Sequence, residues 1–427
     1  MAGRKSSDHL LIAASVLVAC ALAMPAAAHA ARRVGHRGRH AAATNAPPYR
    51  GALLEDADSG KLLFETNADM AWPPASMAKM MLLLVAEEEI KSGHFSPREP
   101  VRISERAAQT GGSRIGLRQG EVYPLDELVK AAIIRSANDA AVAIAEKIGG
   151  SVEACVRMMN AEARKLELTE TEYRTVDGLP PRPGHDADIT SARDLATLGR
   201  ALIARTDLLK LSELETAPFD GGTLLLHNTN HLIGHYEGCD GLKTGFTYQA
   251  GFNLTATAKR GDMRLVAVVL GAPSNAERFR QAARLMDWGF DNYTRVAVLR
   301  HGQPLPIHVQ VESGPLIQPI AANDVKVVIP KRDLNDISLQ YDVPPTVNAP
   351  IATGTPVGEV IVREHDEILS KVEAVCPIAF GEPPTLLHAM DYNAGAVVNN
   401  TQDSQTGSTQ GVTEGSTPAE PAPPSGQ

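Results

Sequence analysis

Between Met77 and Val85 the chain is apolar at every position but one. A helix built from such a run has no face to give to water. It must therefore be buried all round, near the centre of a domain. The exception is Lys79, which follows Ser76 by three residues. On a helix these two positions share a face, so the hydroxyl and the amine can meet in one pocket. A serine is a weak nucleophile until a base takes its proton. A lysine can be that base only when neutral, and burial beside another cation favours the neutral form. Taken alone the signal is weak, because about one Ser-x-x-Lys is expected by chance in a chain of this size.

Two further tripeptides stand out. Ser136-Ala137-Asn138 is a polar break between an apolar helical pattern (Leu125, Leu128, Val129, Ala132, Ile133) and a second one from Ala140 to Ile148. A break of this kind leaves polar groups near a core. It reads either as a helix junction capped by Ser136 or Asn138, or as part of a site. Lys243-Thr244-Gly245 lies on a strand-like run. There a glycine lets a ligand approach the backbone, and the lysine and threonine suit a carboxylate. The plainer alternative is an edge strand with a solvated lysine.

The remaining pattern is α+β. Ala52 to Glu65 reads as a hairpin, its Asp58-Ser59-Gly60 a turn rather than an incomplete calcium loop. A helix is expected from Ser76 to Lys91, and Pro124 suits the first turn of the next long one. Residues 101–122 suggest loops and short strands around a cleft. An amphipathic helix spans Thr190 to Ala204, with Thr190 or Ser191 as its cap. Three strand-like runs, Gly241–Phe246, Phe252–Ala258 and Arg264–Leu270, are joined by short turns and can pair antiparallel; Glu277 to Phe290 closes the region as a helix. Beyond Tyr293 the apolar residues alternate, at Leu305, Ile307, Val309 and Val311, at Val325, Val327 and Ile329, and at Ile337, Leu339 and Tyr341. That alternation predicts a small all-β domain over 298–386, after a catalytic domain over 46–297.

The two ends read differently. Residues 1–30 have the layout of an export signal: Arg4 and Lys5, an apolar run from Leu10 to Ala23, and Ala28-His29-Ala30 at the cleavage position. Leu17-Val18-Ala19-Cys20 supports a competing export reading, lipidation at Cys20. Residues 31–45 carry Arg32, Arg33, Arg37 and Arg39 and form a basic spacer; 387–427 is a polar tail expected to be disordered. Cys155, Cys239 and Cys376 remain after cleavage at Ala30, an odd number with no metal-ligand or redox spacing. A net charge of −9 with 4% aromatic residues speaks against a nucleic-acid binder.

Each of the three signals occurs once, in the order Ser-x-x-Lys, Ser-x-Asn, Lys-Thr-Gly. That set resembles the penicillin-recognising serine enzymes. The flanking residues narrow the resemblance to the D-alanyl-D-alanine carboxypeptidases, the low-molecular-mass penicillin-binding proteins. They are Pro73-Pro74-Ala75-Ser76-Met77-Ala78-Lys79, Ser136-Ala137-Asn138-Asp139-Ala140, Asp240-Gly241-Leu242-Lys243-Thr244-Gly245, Thr190-Ser191-Ala192-Arg193-Asp194-Leu195 and Trp288-Gly289-Phe290. Asn323-Asp324-Val325 and Ala349-Pro350-Ile351 resemble that group's C-terminal domain. The implied fold is a serine β-lactamase/DD-peptidase-like domain, an antiparallel sheet flanked by helices, followed by the β domain.

The resemblance implies roles. Ser76 would attack the peptide bond between two D-alanines of a peptidoglycan stem peptide, with Lys79 as general base. Ser136 would relay the proton to the leaving D-alanine, and Asn138 would hold the peptide backbone. Lys243 would keep the surroundings of Lys79 cationic and help to place the substrate, Gly245 would belong to the same substrate-binding set, and Thr244 and Arg278 would bind the terminal carboxylate. The backbone N–H groups of Ser76 and Phe246 would form the oxyanion hole. β-Lactams would acylate Ser76 and leave slowly; neither cofactor nor metal is implied. The implied location is the periplasm or cell envelope, with membrane association and oligomeric state open.

Two departures stand against the pattern: Phe246 follows Lys-Thr-Gly where several relatives carry histidine, and the tail lacks the amphipathic helix of many relatives. No glutamate is followed four residues later by asparagine, which removes the deacylating motif of a class A β-lactamase. Endopeptidase cleavage of crosslinks and a catalytically idle wall-binding scaffold remain as alternatives.

Overall fold

A computed structural model describes residues 47–180 and 186–381. The expected signal, basic spacer and polar tail lie outside these residues.

The core of the first domain is a five-stranded antiparallel sheet. Its strands, in spatial order, are Leu62–Thr66, Gly51–Asp56, Met263–Ala272, Gly251–Arg260 and Cys239–Thr247. The N-terminal hairpin thus inserts beside the last strand of the domain, with Gly51 opposite Leu270 and Asp56 opposite Leu265. Side chains alternate across the sheet. Leu53, Val266, Val268 and Leu270 face a lobe of helices, whereas Ala52, Leu54, Leu254, Ala267 and Val269 face the helix Asn275–Asn292. The turn of the first hairpin is fixed by Asp56, whose Oδ1 accepts from Ser59 N (2.8 Å) and Ser59 Oγ (2.6 Å). That local bonding gives the Asp-x-x-Ser-Gly stretch its turn.

The all-apolar run forms the helix Ala78–Lys91, in which every residue from Ala78 to Ala86 is buried. The helices Leu125–Ile134, Asn138–Gly149, Val152–Lys165 and Ala192–Arg205 pack around it. Its start differs from the expected one. Ala75–Met77 forms a 3-10 turn, and the α-helix begins at Ala78. Ser191 is the cap of Ala192–Arg205, accepting from Asp194 N at 3.0 Å; such caps contribute about 1 kcal/mol. Residues 100–124 form the short pair Pro100–Arg102 and Val122–Pro124 around a one-turn helix, Glu105–Ala108, and a loop.

The chain passes directly from Asn292 into the strand Tyr293–Leu299, which pairs with Val325–Pro330 and straddles the expected boundary at 298. A second sheet runs Ile320–Ala321, Glu367–Val375, Pro356–Glu364, Ile337–Asp342. Val325, Val327 and Ile329 point into this domain's own core, while Val328 packs against the catalytic domain. The alternation at 305–311 yields a strand only at Val309–Val311. Pro304 and Pro306 have no N–H to give to a ladder. Charged contacts tie the two domains: Lys61 Nζ lies 3.3 Å from Glu364 Oε2, Lys326 Nζ 3.3 Å from Asp262 Oδ2, and Arg295 pairs with Asp58.

Candidate active site

Ser76 sits half-buried on the 3-10 turn, where Pro73 and Pro74 bring the chain in. The preceding Ala75 has φ +51°, a left-handed conformation that a non-glycine residue holds only when its surroundings impose it. Two neighbours supply those surroundings. Asn253, a wholly buried amide on the strand Gly251–Arg260, donates from Nδ2 to the carbonyl of Pro73 (2.9 Å) and to that of Pro74 (3.3 Å). Its Oδ1 accepts from Gly271 N at 2.8 Å. Gly178, at φ +74°, presses on the other side; a Cβ there would lie 1.8 Å from the Ala75 carbonyl oxygen and 2.9 Å from Ser76 N.

Lys79 is wholly buried on the first turn of the helix. Its Nζ donates to Ser76 Oγ at 3.0 Å and to the backbone carbonyl of Asp177 at 2.6 Å. Burial lowers its pKa to about 8, against the opposing pull of Asp177, Asp188 and Asp139. Lys243, also buried, donates to the carbonyl of Thr244 at 3.0 Å. Its pKa is pushed well down, first by burial and then by the charges of Lys79 and Arg278. The dry pocket disfavours two ammonium groups at once, so the proton that remains belongs to the lysine pair.

Ser136 lies in the break between Leu125–Ile134 and Asn138–Gly149, buried and at φ +61°. Asn138 opens the second helix. Its backbone N–H donates to the Ser113 carbonyl (2.7 Å) and its Nδ2 to that of Gly111 (2.8 Å). Its Oδ1 is buried without a partner, an acceptor left for an incoming N–H. Asp139 completes this strap. Its carboxylate collects the backbone N–H groups of Ile115 (3.1 Å), Gly116 (2.8 Å) and Leu117 (3.1 Å). The loop 111–117 is thereby bound to the helix that carries Asn138.

The third element is the edge strand Cys239–Thr247. Thr244 Oγ1 donates to Thr229 Oγ1 at 2.8 Å. Gly245 is required for a reason that its sequence context does not show. The backbone that approaches it is the chain's own, because a Cβ there would meet the Pro74 carbonyl oxygen at 2.5 Å and Ala75 Cβ at 3.3 Å. Phe246 is 44% exposed. Its ring lies 4.3 Å from that of Phe252 and 5.6 Å from that of Tyr248, centroid to centroid. Arg278, from the helix on the far face, is buried. Its Nη1 donates to the carbonyls of Gly245 (3.0 Å) and Asn253 (3.1 Å), and its Nε has no partner. Burial brings its pKa down to about 10. Two of its hydrogen bonds therefore hold the strand backbone rather than face the groove.

The structure therefore brings Ser76 and Lys79 into contact, places Gly245 against the Ser76 turn and sets Lys243 beside Lys79. The contributions of five residues were missed from sequence. Asp177-Gly178 carries a turn signal, and Asn253 is an amide next to the apolar Phe252 and Leu254; both could have been flagged. Asp139 stands in the stretch that carries the resemblance but its role was hidden, since its partners are loop N–H groups, and Thr229 gave no signal, since its partner is a hydroxyl elsewhere in the chain. Among the described residues, no group of three or more His, Cys, Asp or Glu side chains could hold a metal ion, and no helix is long and apolar enough to cross a membrane.

A family model described as D-alanyl-D-alanine carboxypeptidase matches residues 40–274, and one for the C-terminal domain of penicillin-binding protein 5 matches 293–379. The D-alanyl-D-alanine carboxypeptidase DacF of Bacillus subtilis is 34% identical over 75% of this chain and 83% of its own length. DacC of Escherichia coli is 34% identical over 73% of this chain and 79% of its own length. Penicillin-binding protein 5 of Haemophilus influenzae superposes with a TM-score of 0.68 at 28% identity, covering 79% of this chain and all of that one. Penicillin-binding protein D2 of Listeria monocytogenes, solved in its ampicillin-bound form, superposes with a TM-score of 0.53 at 28% identity, over 58% of this chain and 99% of that one.

Proposed function

The chain belongs to the D-alanyl-D-alanine carboxypeptidase family, and we propose that it removes the terminal D-alanine of peptidoglycan stem peptides through an acyl-enzyme on Ser76. The single observation that carries the assignment is the 3.0 Å contact between Ser76 Oγ and a fully buried Lys79 Nζ. A lysine whose proton is lost near pH 8 can accept the serine proton at little cost. This is how a general base is matched to its task.

In this reading the free carboxylate of the substrate meets Thr244, with the charge of the lysine pair behind it. Arg278 acts through Gly245, whose carbonyl it holds. Asn138 Oδ1 accepts from the peptide. Ser76 Oγ attacks the carbonyl of the penultimate D-alanine while Lys79 takes its proton. The N–H groups of Ser76 and Phe246 stabilise the oxyanion, a contribution of about 10²–10³ in rate per donor. Ser136 returns the proton to the leaving amine. Water then cleaves the ester, with Lys79 again as base. A β-lactam enters the same sequence and stalls at the ester, which agrees with the ampicillin-bound relative. We assign residues 1–30 to export and the working location to the periplasmic side of the envelope.

A fluorescent penicillin tests this directly. It should label the wild type and not Ser76→Ala, and a pentapeptide ending in D-Ala-D-Ala should release free D-alanine with the first protein alone. Labelling that survives in Ser76→Ala would refute the assignment. Turnover only of crosslinked muropeptides would turn the reading to an endopeptidase.

A further inference from the structure

Asn253 sits where the strand Gly251–Arg260 slips in its pairing with Met263–Ala272. Phe252 stands opposite Ala272 and Leu254 opposite Val269, so Leu270 and Gly271 share the space opposite Asn253. A bulge of this kind interrupts the ladder and re-aims a side chain. Here the N–H of Gly271, at φ +65°, donates to Asn253 Oδ1 at 2.8 Å. With Oδ1 engaged, Nδ2 is turned to the carbonyls of Pro73 (2.9 Å) and Pro74 (3.3 Å), which uses both of its donors. On its other edge Asn253 is paired in register with Gly245, the residue before Phe246. Arg278 Nη1 bridges that pair, donating to the carbonyls of Gly245 (3.0 Å) and Asn253 (3.1 Å). One buried residue thus holds the Ser76 turn by its side chain and the Phe246 strand by its backbone.

We propose that Asn253 is a positioning residue that fixes the separation of the two oxyanion donors, the N–H groups of Ser76 and Phe246. The inference rests on the proposed function, in which those two groups receive the oxyanion. Asn253 is wholly buried, so it acts through Pro73, Pro74 and Gly245. The Pro74 carbonyl is where the two halves meet. It accepts from Met77 N at 3.3 Å, and a Cβ on Gly245 would lie 2.5 Å from its oxygen. Between that carbonyl and Ser76 stands Ala75 at φ +51°, a conformation held only by its surroundings. Freeing the carbonyls of Pro73 and Pro74 lets this turn relax and carries the Ser76 N–H with it. The oxyanion does not occupy the place of the ground-state carbonyl oxygen, and donors are effective only when set for the former. Loss of Asn253 therefore weakens the transition state more than the bound substrate.

The test compares wild type with Asn253→Ala and Asn253→Ser, folding being checked by near-ultraviolet circular dichroism and rates taken per folded molecule. Three quantities are read: kcat/KM on a pentapeptide ending in D-Ala-D-Ala, the affinity of a peptidyl boronic acid, and the affinity of the pentapeptide for a Ser76→Ala background. The boron becomes tetrahedral on Ser76 Oγ and places an oxygen in the hole, so it reports on the donors in their working geometry. Asn253→Ala should lower kcat/KM and boronate affinity together by about 30- to 100-fold, the scale of a 1 Å misplacement. Pentapeptide binding in the Ser76→Ala background should stay within about threefold. Asn253→Ser, which keeps a hydroxyl under the turn, should fall between alanine and wild type, and it carries the test if the alanine variant does not fold. A kcat/KM within about threefold of wild type, or equal losses for pentapeptide and boronate, would overturn the positioning role and leave the carboxypeptidase in place. Loss of the fold in both variants would overturn it too, because Asn253 would then serve the domain and not the hole. A wild type that releases no D-alanine would instead overturn the proposed function, and this role with it.

Discussion

Replacing Asp139 by asparagine isolates what the strap under the groove contributes. The carboxylate is buried and receives N–H groups from Ile115, Gly116 and Leu117, all on Oδ2, with Ala140 N on Oδ1 at 3.0 Å. Hydrogen bonds to a charged group are worth about 1.5–3 kcal/mol and neutral ones about 0.5–1.5. Asparagine keeps the shape and can keep the three bonds as neutral ones, at a loss of about 1 kcal/mol each. Its NH₂ then faces the Ala140 N–H, which adds to the loss. A total of about 2–4 kcal/mol follows. Spent on opening the loop that holds Asn138, it would lower kcat/KM by about 30- to 1,000-fold. Acylation by a fluorescent penicillin and D-alanine release would be measured against pH, with Tm recorded in parallel. A second readout separates position from bulk stability. The Asp139 charge favours the ammonium form of Lys79, so its removal should shift the rise of the rate–pH curve towards lower pH. A kcat/KM within about twofold of wild type, or a lowered Tm with an unmoved pH curve and unchanged turnover, would refute this reasoning.

The wild-type rate should itself climb with pH around a midpoint near 8, where Lys79 loses its proton; a midpoint near 10.5, the ordinary lysine value, would count against a buried base. Because the pKa of Lys79 is lowered on folding, the unfolded chain binds more protons between about pH 8 and 10.5, so this residue's contribution makes the fold more stable as pH rises through that window, readable as a rise in denaturant midpoint. Gly245→Ala should abolish penicillin labelling, since its Cβ would lie 2.5 Å from the Pro74 carbonyl oxygen; a normally labelled variant would show that the turn can retreat. Ser191→Ala should cost about 1 kcal/mol in a urea titration with little change in the labelling rate per folded molecule.

The spacing of Ser76 and Lys79 survives folding because it is local, set by one turn of helix. The break at Ser136 was legible for a related reason, since polar residues interrupt two apolar patterns side by side. What was illegible is what closes the pocket from elsewhere. The carbonyl that holds Lys79 comes from Asp177, 98 residues away, and the amide that holds Pro73 comes from Asn253, 180 residues away. No local pattern announces such partners. The Gly245 requirement was readable as a need for close approach but not as approach by Pro74. In the β domain, Val325, Val327 and Ile329 kept their alternation because a partner strand lies alongside, whereas Leu305 and Ile307 fell in a proline-flanked segment whose pairing stops at the single bridge of Pro304 with Ile320.

The N-terminal strand also has a consequence in time. Gly51–Asp56 lies between its hairpin partner and Met263–Ala272, which is made more than two hundred residues later. Until that later strand emerges, Leu53 has no completed sheet around it, and the helix bearing Lys79 has no wall to bury against. Contacts this distant in sequence must wait for the chain between them to be placed. A growing chain is thus held inactive until the strand Met263–Ala272 arrives. The appearance of penicillin labelling then marks the moment at which the whole domain has closed.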